Sequence, residues 1–197
     1  MRMLQQPDSA LCKEALRMAG AVLSDAILYH SLRTYHLASA YGDLLNHTHS
    51  KEELFLASVF HDIGFFSPYN IRGKPFQIAS SQALKRYLKD EGSVPPDRIN
   101  AMMEAVDFHF QLSPRWDKGP IAGLLQVGAY MDAVGLKSHS LDKDFRKKII
   151  QAYPKEGFFL SINLCLMRSF TGMGSVIGLF RPAPYCGHDH YMDTKQA

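Results

Sequence analysis

The adjacent residues His61 and Asp62 are the first candidates for chemistry, because they end a run of residues with low polarity. Residues 54–60 are apolar on nearly every side of a helix, so this helix is predicted to cross the middle of the core. A buried imidazole and carboxylate are costly unless something pairs with them. A metal ion is one answer, and a capped core helix with one hydrogen-bonded histidine is the other. Gly64 fits a helix C-cap, which predicts that the pair faces a cavity at the helix end.

Three further ionisable side chains fall on apolar faces of other predicted helices. Steps of 100° per residue place His30 and Asp132 within the apolar stripes of their helices, and His109 at the edge of its stripe. His36 falls on the opposite face of the helix that carries His30, which makes it a weaker candidate. Each of these residues alone has an ordinary explanation as a hydrogen-bonded core residue. Together they favour a metal site, because an uncompensated buried cluster of this kind would be strongly destabilising.

The pattern of these residues resembles the metal signature of the HD-domain superfamily of metal-dependent hydrolases. The matching positions are His30 in a His-Ser-Leu-Arg stretch, the His61-Asp62 pair thirty-one residues later, and Asp132. The resemblance implies that His30, His61, Asp62 and Asp132 are the ligands of the metal. It covers about residues 20–170.

Within that superfamily, the chain is most similar to the cyanamide hydratase-like branch. This similarity is carried by residues 29–35, by His109 and by the basic and aromatic region after Asp144. Phe65 stands where many phosphohydrolases of the superfamily have a lysine or histidine, which weakens a phosphoester function. His109 is the only histidine between the His-Asp pair and Asp132, whereas the diiron branch has more, so the resemblance implies one metal ion.

The chemistry implied by such a site is the activation of water. Two imidazoles and two carboxylates leave coordination positions open and suit zinc, iron(II), manganese, nickel or cobalt. The ion lowers the pKa of a water molecule towards neutrality and polarises the bond under attack. Asp62 and His109 are the candidate catalytic residues, with proton transfer as the role of His109. A hydratase adds water to a nitrile-like carbon, whereas a hydrolase displaces an alcohol, an amine or a phosphate.

The candidate substrate-binding residues are Arg33, Phe65 and Trp116. Arg33, one turn after His30, either binds an anion or pairs with Asp132 or another carboxylate. Aromatic side chains near the site favour a small, weakly charged substrate, although such side chains more often serve as core or lid packing. The aromatic group comprises Phe65, Phe66, Tyr69, Phe108, Phe110 and Trp116.

Three functions therefore compete at this stage. The first is a single-metal hydrolase or hydratase that acts on a small molecule. The second is a nucleotide or phosphomonoester phosphohydrolase. The third is a non-catalytic domain that keeps the metal for structure or for ligand sensing.

Composition describes an ordinary globular protein and excludes several classes. The 197 residues are 46% hydrophobic and 21% charged, with a net charge of +3, so we expect one domain. The basic residues between 143 and 148 are interrupted by Asp144 and Phe145, which is typical of a solvated helix face and not of a nucleic-acid site. Three dispersed cysteines, no signal peptide and no membrane-length apolar run predict a cytoplasmic protein; self-association is left open.

Helical periodicity dominates the sequence and predicts an all-α fold. The domain is predicted to span residues 1–197, with a core of about 20–170 and an irregular tail from 172 to 197. Ser50 and Glu53 fit a capping box at the start of the central helix. In the tail, residues 186–190 resemble a run of metal ligands, but we expect no binding there. The other helices are predicted over residues 9–20, 22–45, 77–90, 96–110, 120–135, 141–152 and 157–171.

Overall fold

Helices account for all the regular secondary structure in the part of the chain that the computed structural model describes, residues 3–171. The predicted all-α class is confirmed, and each predicted helix is present with its start shifted by three residues or fewer. The predicted irregular tail, including residues 186–190, lies outside the described residues. The helices are α1 (Ala10–Gly20), α2 (Asp25–Leu44), α3 (Lys51–Phe60), α4 (Phe76–Glu91), α5 (Pro96–Phe108), α6 (Pro120–Val134), α7 (Lys143–Ala152) and α8 (Phe158–Thr171).

Helix α3 lies at the centre of the fold, as its sequence predicts. Every residue from 54 to 60 is at most 1% exposed. Its start is fixed locally, because the Ser50 hydroxyl accepts a hydrogen bond from the backbone N–H of Glu53 at 3.2 Å. The side chain of Glu53 pairs with Arg98, so the second half of the predicted capping box is not formed.

Buried hydrophobic side chains from all eight helices form one cluster around α3. Helix α1 belongs to this cluster through Cys12, Ala15 and Ala19. Helix α2 is buried on all sides over its middle turns, because α3, α6 and α8 pack around it. This explains why His36 is buried although it lies away from the stripe that carries His30.

Helices α2 and α6 run antiparallel and approach each other closely. A Cβ added to Gly128 would lie 2.6 Å from the backbone oxygen of Thr34 and 2.7 Å from the Cβ of Ala38. The absence of a side chain at Gly128 therefore permits this approach. Its consequence is that Asp132, one helical turn further along α6, lies next to His30, one turn earlier on α2.

None of the helices in residues 3–171 combines the length and apolarity that a membrane crossing requires.

Candidate metal centre

Three ionisable side chains meet at the end of the central helix. The Nε2 atom of His61 lies 3.2 Å from Nε2 of His30 and 3.3 Å from Oδ2 of Asp62. The His30 Nε2 atom is 3.8 Å from the same carboxylate oxygen. All three residues are at most 3% exposed. One ligand atom from each lies within 4.8 Å of the others, so His30, His61 and Asp62 could hold a metal ion.

The orientation of the two imidazoles suits a metal ion. The Nδ1 of His61 is 2.6 Å from the backbone oxygen of Ser58, which can only accept, so this nitrogen carries the proton and donates. The Nδ1 of His30 is likewise 2.7 Å from Oδ2 of Asp132. In the neutral rings both Nε2 atoms therefore carry a lone pair and no proton, and these lone pairs face each other beside a carboxylate. Such an arrangement is repulsive unless a cation or a proton lies among the three acceptors.

Burial and charge shift the pKa values of the three groups. Burial lowers the pKa of His30 despite its contact with Asp132. Burial would also lower the pKa of His61, but the negative charge of Asp62 and a hydrogen bond to it raise that pKa overall. Burial opposes ionisation of Asp62, yet His61 and His109 hold its pKa well below the usual range. Asp62 is therefore an ionised carboxylate, the form that binds a metal.

The local backbone explains how His61 and Asp62 come to lie together at the end of α3. Helix α3 ends at Phe60, His61 keeps helical angles, and Asp62 turns away with φ −110° and ψ 0°. These angles lie near the sparsely populated bridge region, where active-site residues are often found. A short 3-10 turn, Ile63–Phe65, follows directly.

The prediction that Gly64 is the C-cap of the central helix is wrong, because His61 occupies that position. Gly64 lies within the 3-10 turn and is not among the residues with positive φ. A Cβ there would lie 2.2 Å from the backbone oxygen of Phe76 and 2.6 Å from the backbone nitrogen of Ser80. Glycine is required because the turn packs directly on the backbone of α4, and the Gly64 N–H donates to the Ser80 hydroxyl at 2.9 Å.

Asp132, which the resemblance implies as a fourth ligand, lies outside the group of ligand atoms. Its carboxylate contacts Nδ1 of His30, the ring nitrogen that points away from His61. Arg33 binds both oxygens of the same carboxylate, with Nε 2.7 Å from Oδ1 and Nη2 2.9 Å from Oδ2. Hydrogen bonds from His30 and Arg33 outweigh the effect of burial and hold the pKa of Asp132 well below its usual range. The helical stripe placed Asp132 next to His30 but did not show which ring nitrogen it reaches.

Arg33 does not have the geometry of a substrate-binding residue. Its side chain is fully buried, and Nη1 donates to the backbone oxygens of Tyr153 and Pro154 at 3.1 and 2.7 Å. The predicted alternative, pairing with Asp132, is the one observed. The anion-binding alternative fails because the guanidinium is already occupied and has no access to solvent.

His109 lies on the other side of the Asp62 carboxylate. Its Nε2 is 3.7 Å from Oδ1 of Asp62, and its ring meets the His61 ring edge-on with centroids 4.8 Å apart. Its Nδ1 is 2.6 Å from the backbone oxygen of Val106, so Nδ1 donates and Nε2 faces Asp62. His109 is buried. It thus lies next to the candidate ligands, on the side of Asp62 that faces away from His30 and His61.

The predicted aromatic contacts are only partly placed near the site. Phe65 stacks on Phe76 with ring centroids 3.8 Å apart, and Phe76 in turn meets the His109 ring at 5.6 Å. Phe65 is therefore separated from the nearest histidine by one ring.

Trp116, whose role in substrate binding stays a prediction, packs away from the ligand residues. It covers Gly123 on α6 and contacts the ring of His47 at 5.1 Å. Because Gly123 precedes Asp132 by nine residues, this contact lies about 14 Å along the helix from the site. Trp116 packs there because Gly123 leaves space for its ring.

Two aromatic residues that sequence reasoning missed contact the histidines directly. Phe158 stacks on His30 with centroids 4.4 Å apart, and Phe76 contacts His109. Phe158 is the first residue of α8 and is buried. Only the start of a predicted helix marked its position, since nothing in the local pattern connects it to a residue 128 positions earlier.

A surface groove of about 570 Å³ lies elsewhere, between the end of α2 and the start of α7. None of the candidate site residues lines it. The groove contains neither a histidine nor a set of converging ligand atoms, so it is not a second candidate metal site. Its lining residues are Ala40, Asp43, Leu44, Ser140, Leu141, Asp142, Asp144, Phe145 and Lys148.

Neither a model of a protein family nor a curated protein matches this chain.

Proposed function

We propose that this protein is a metal-dependent hydrolase or hydratase of the HD-domain superfamily, which acts on a small molecule with one divalent ion. The observation that carries the proposal is the convergence of His30 Nε2, His61 Nε2 and Asp62 Oδ2 in a buried site. The motif resemblance to the superfamily, and to its cyanamide hydratase-like branch, supports the same function. The donor set of nitrogen and oxygen suits zinc, iron(II), manganese, nickel or cobalt.

The residues around the proposed ion have two different roles, metal binding and proton transfer. When bound, the ion would supply a water molecule that is activated near neutral pH. His30, His61 and Asp62 would hold it and leave positions open for water and substrate. His109 is the residue that moves the proton, because its Nε2 faces Asp62 while its Nδ1 is held by Val106. In a hydration, the water oxygen bonds to the electrophilic carbon and a proton is delivered to the neighbouring nitrogen.

The surroundings favour a small substrate with little charge. The rings of Phe158 and Phe76 contact the histidines, and apolar walls of this kind do not compensate a phosphate dianion. Arg33 and Lys155, the cations that contact Asp132, are both ion-paired with it. These contacts support a nitrile, an amide or a similar small molecule over a phosphomonoester.

Metal content provides the first test of the proposal. Protein stripped with a chelator and dialysed against Zn²⁺ or Mn²⁺ should retain about one ion per chain. The Asp62→Ala variant should lose the ion and all turnover. The matched control is His36→Ala, since His36 is also buried but its ring stacks on Tyr153 and takes no part in the cluster. Equal metal content in the two variants would contradict the ligand assignment.

A substrate screen provides the second test. The metal-loaded protein should turn over nitriles, cyanamide-like compounds or small amides faster than phosphomonoesters and nucleotides. Turnover of phosphomonoesters alone would favour the phosphohydrolase alternative. Metal binding without turnover in any of these classes would favour a structural or sensing role.

A further inference from the structure

The Asp132 network consists of His30, Arg33, Asp132 and Lys155, and it lies behind His30 on the side opposite His61. The Asp132 side chain is fully buried, and four donors surround its two oxygens. Oδ2 accepts hydrogen bonds from Nδ1 of His30 at 2.7 Å and from Nη2 of Arg33 at 2.9 Å. Oδ1 accepts a hydrogen bond from Nε of Arg33 at 2.7 Å and lies 3.1 Å from Nζ of Lys155.

A count of lone pairs decides what Asp132 can do. An ionised carboxylate has about four lone-pair sites. Here three of them accept hydrogen bonds from His30 and Arg33, and the Lys155 ammonium lies 3.1 Å from Oδ1 beside the fourth. A metal ion could bind Asp132 only after one of these donors has left, and three of the four belong to the largely buried groups His30 and Arg33. A buried donor without an acceptor is destabilising, so the exchange is unfavourable.

We propose that Asp132 is a positioning residue for His30 and not a ligand of the metal. It accepts the Nδ1 proton of His30, which fixes the tautomer and turns Nε2 towards His61 and Asp62. The inference rests on the metal binding proposed above and departs from the ligand set that the family resemblance implies. The protein ligands are then His30, His61 and Asp62, with the remaining positions left to water or substrate.

Arg33 and Lys155 hold the carboxylate in this orientation. The two remaining contacts of Arg33 tie it to the backbone oxygens of Tyr153 and Pro154, in the segment that joins α7 to α8. Lys155 also donates to the backbone oxygen of Asp132 at 2.6 Å. The carboxylate is thus fixed from two parts of the chain, α2 and the segment that joins α7 to α8, which leaves it little freedom to swing towards the ion.

Two measurements distinguish a positioning role of Asp132 from a role as metal ligand: the affinity for Zn²⁺ and the set of ligands around the bound ion. Asp132→Asn should still bind about one Zn²⁺ per chain, 10- to 100-fold more weakly than wild type in a competition with a chelator dye. X-ray absorption should give the same two imidazoles and the same number of oxygen ligands in Asp132→Asn and wild type. Asp62→Asn, the matched variant, should show no specific binding. Loss of binding in a folded Asp132→Asn protein to the same extent as in Asp62→Asn would overturn the proposal.

The native protein offers a measurement that does not depend on folding of the variant. Long-range ¹H–¹⁵N spectra of the histidines should show that His30 keeps its Nδ1 proton when Zn²⁺ is added, while the Nε2 signals of His30 and His61 shift. Loss of that proton signal from its hydrogen-bonded position would show that Asp132 has moved to the metal, and would overturn the proposal. Bound Zn²⁺ with a retained Nδ1 proton but no turnover supports the positioning role and contradicts only the enzymatic function. Absence of Zn²⁺ binding in wild type contradicts both.

Discussion

The two oxygens of Asp62 face different histidines, and this separates binding from proton transfer at the scale of single residues. Oδ2 lies among the Nε2 atoms of His30 and His61, whereas Oδ1 faces Nε2 of His109. His109 is not a member of the compact group of ligand atoms, which comprises His30, His61 and Asp62. We therefore expect His109 to contribute to turnover more than to metal affinity.

Replacement of His109 by Gln tests this division. The amide has a similar length but cannot carry a proton between water and substrate, so kcat should fall by about 10²- to 10⁴-fold on the substrate found in the screen. The Zn²⁺ content, measured by elemental analysis, should remain that of wild type. His36→Gln is the control and should change neither quantity. Loss of the ion in His109→Gln would instead identify His109 as a ligand.

The sequence predicted the residues of the site better than their roles. His61 and Asp62 were found because they end an apolar run, and His30 because it is an ionisable group within an apolar stripe; the second test depends only on helical geometry. The stripe test gives the direction in which a side chain leaves its helix, but it does not show which atom of another residue each of its atoms contacts. Asp132 was assigned to the metal, and Arg33 was left open between an anion and a carboxylate such as Asp132, because a pairing over 99 positions of sequence depends on tertiary packing.

At the scale of elements, the site is held by the contact between the 3-10 turn after Asp62 and helix α4. Gly64 lies in this turn, against the backbone of Phe76 and Ser80. The starts of the helices were predictable because capping by residues such as Ser50 is local. The role of Gly64 was not, since nothing in the sequence around position 64 reports the approach of α4.

Substitution of Gly64 by Ala should therefore destabilise the fold and loosen the site. The new methyl group would collide with backbone atoms, which cannot move as a side chain does, so we expect a loss of at least about 1–3 kcal/mol in the free energy of unfolding. Urea unfolding followed by circular dichroism measures this change. Zn²⁺ affinity should fall as well, because the turn carries Asp62.

Gly20→Ala is the matched control for Gly64→Ala. Gly20 ends α1, and a Cβ there would meet only Leu28 at an ordinary distance of 3.7 Å. We expect it to leave stability unchanged or to raise it by up to about 1 kcal/mol, because alanine is the better helix former. Equal stability of the two variants would show that the turn can move away from α4 without cost.

At the scale of the whole molecule, the proposed metal ion and the fold depend on each other. His30 is on α2 and His61-Asp62 follow α3, so the ligand atoms converge only in the folded chain. The buried lone pairs of the two histidines also repel each other when no cation lies between them. A divalent ion binds the folded state and not the unfolded one, and it removes this repulsion, so it should stabilise the whole fold.

Thermal unfolding of metal-free protein with added Zn²⁺ measures this coupling. At a free Zn²⁺ concentration 100 times the Kd, binding stabilises the folded state by about 2.7 kcal/mol. For a domain of this size that corresponds to a rise in Tm of about 5–10 °C. Asp62→Asn should show no such rise, although it keeps His30 and His61, because the ion then loses its only anionic ligand in the cluster. A similar rise in both proteins would mean that Zn²⁺ binds elsewhere, and the convergence at the end of α3 would then reflect a shared proton and not a metal.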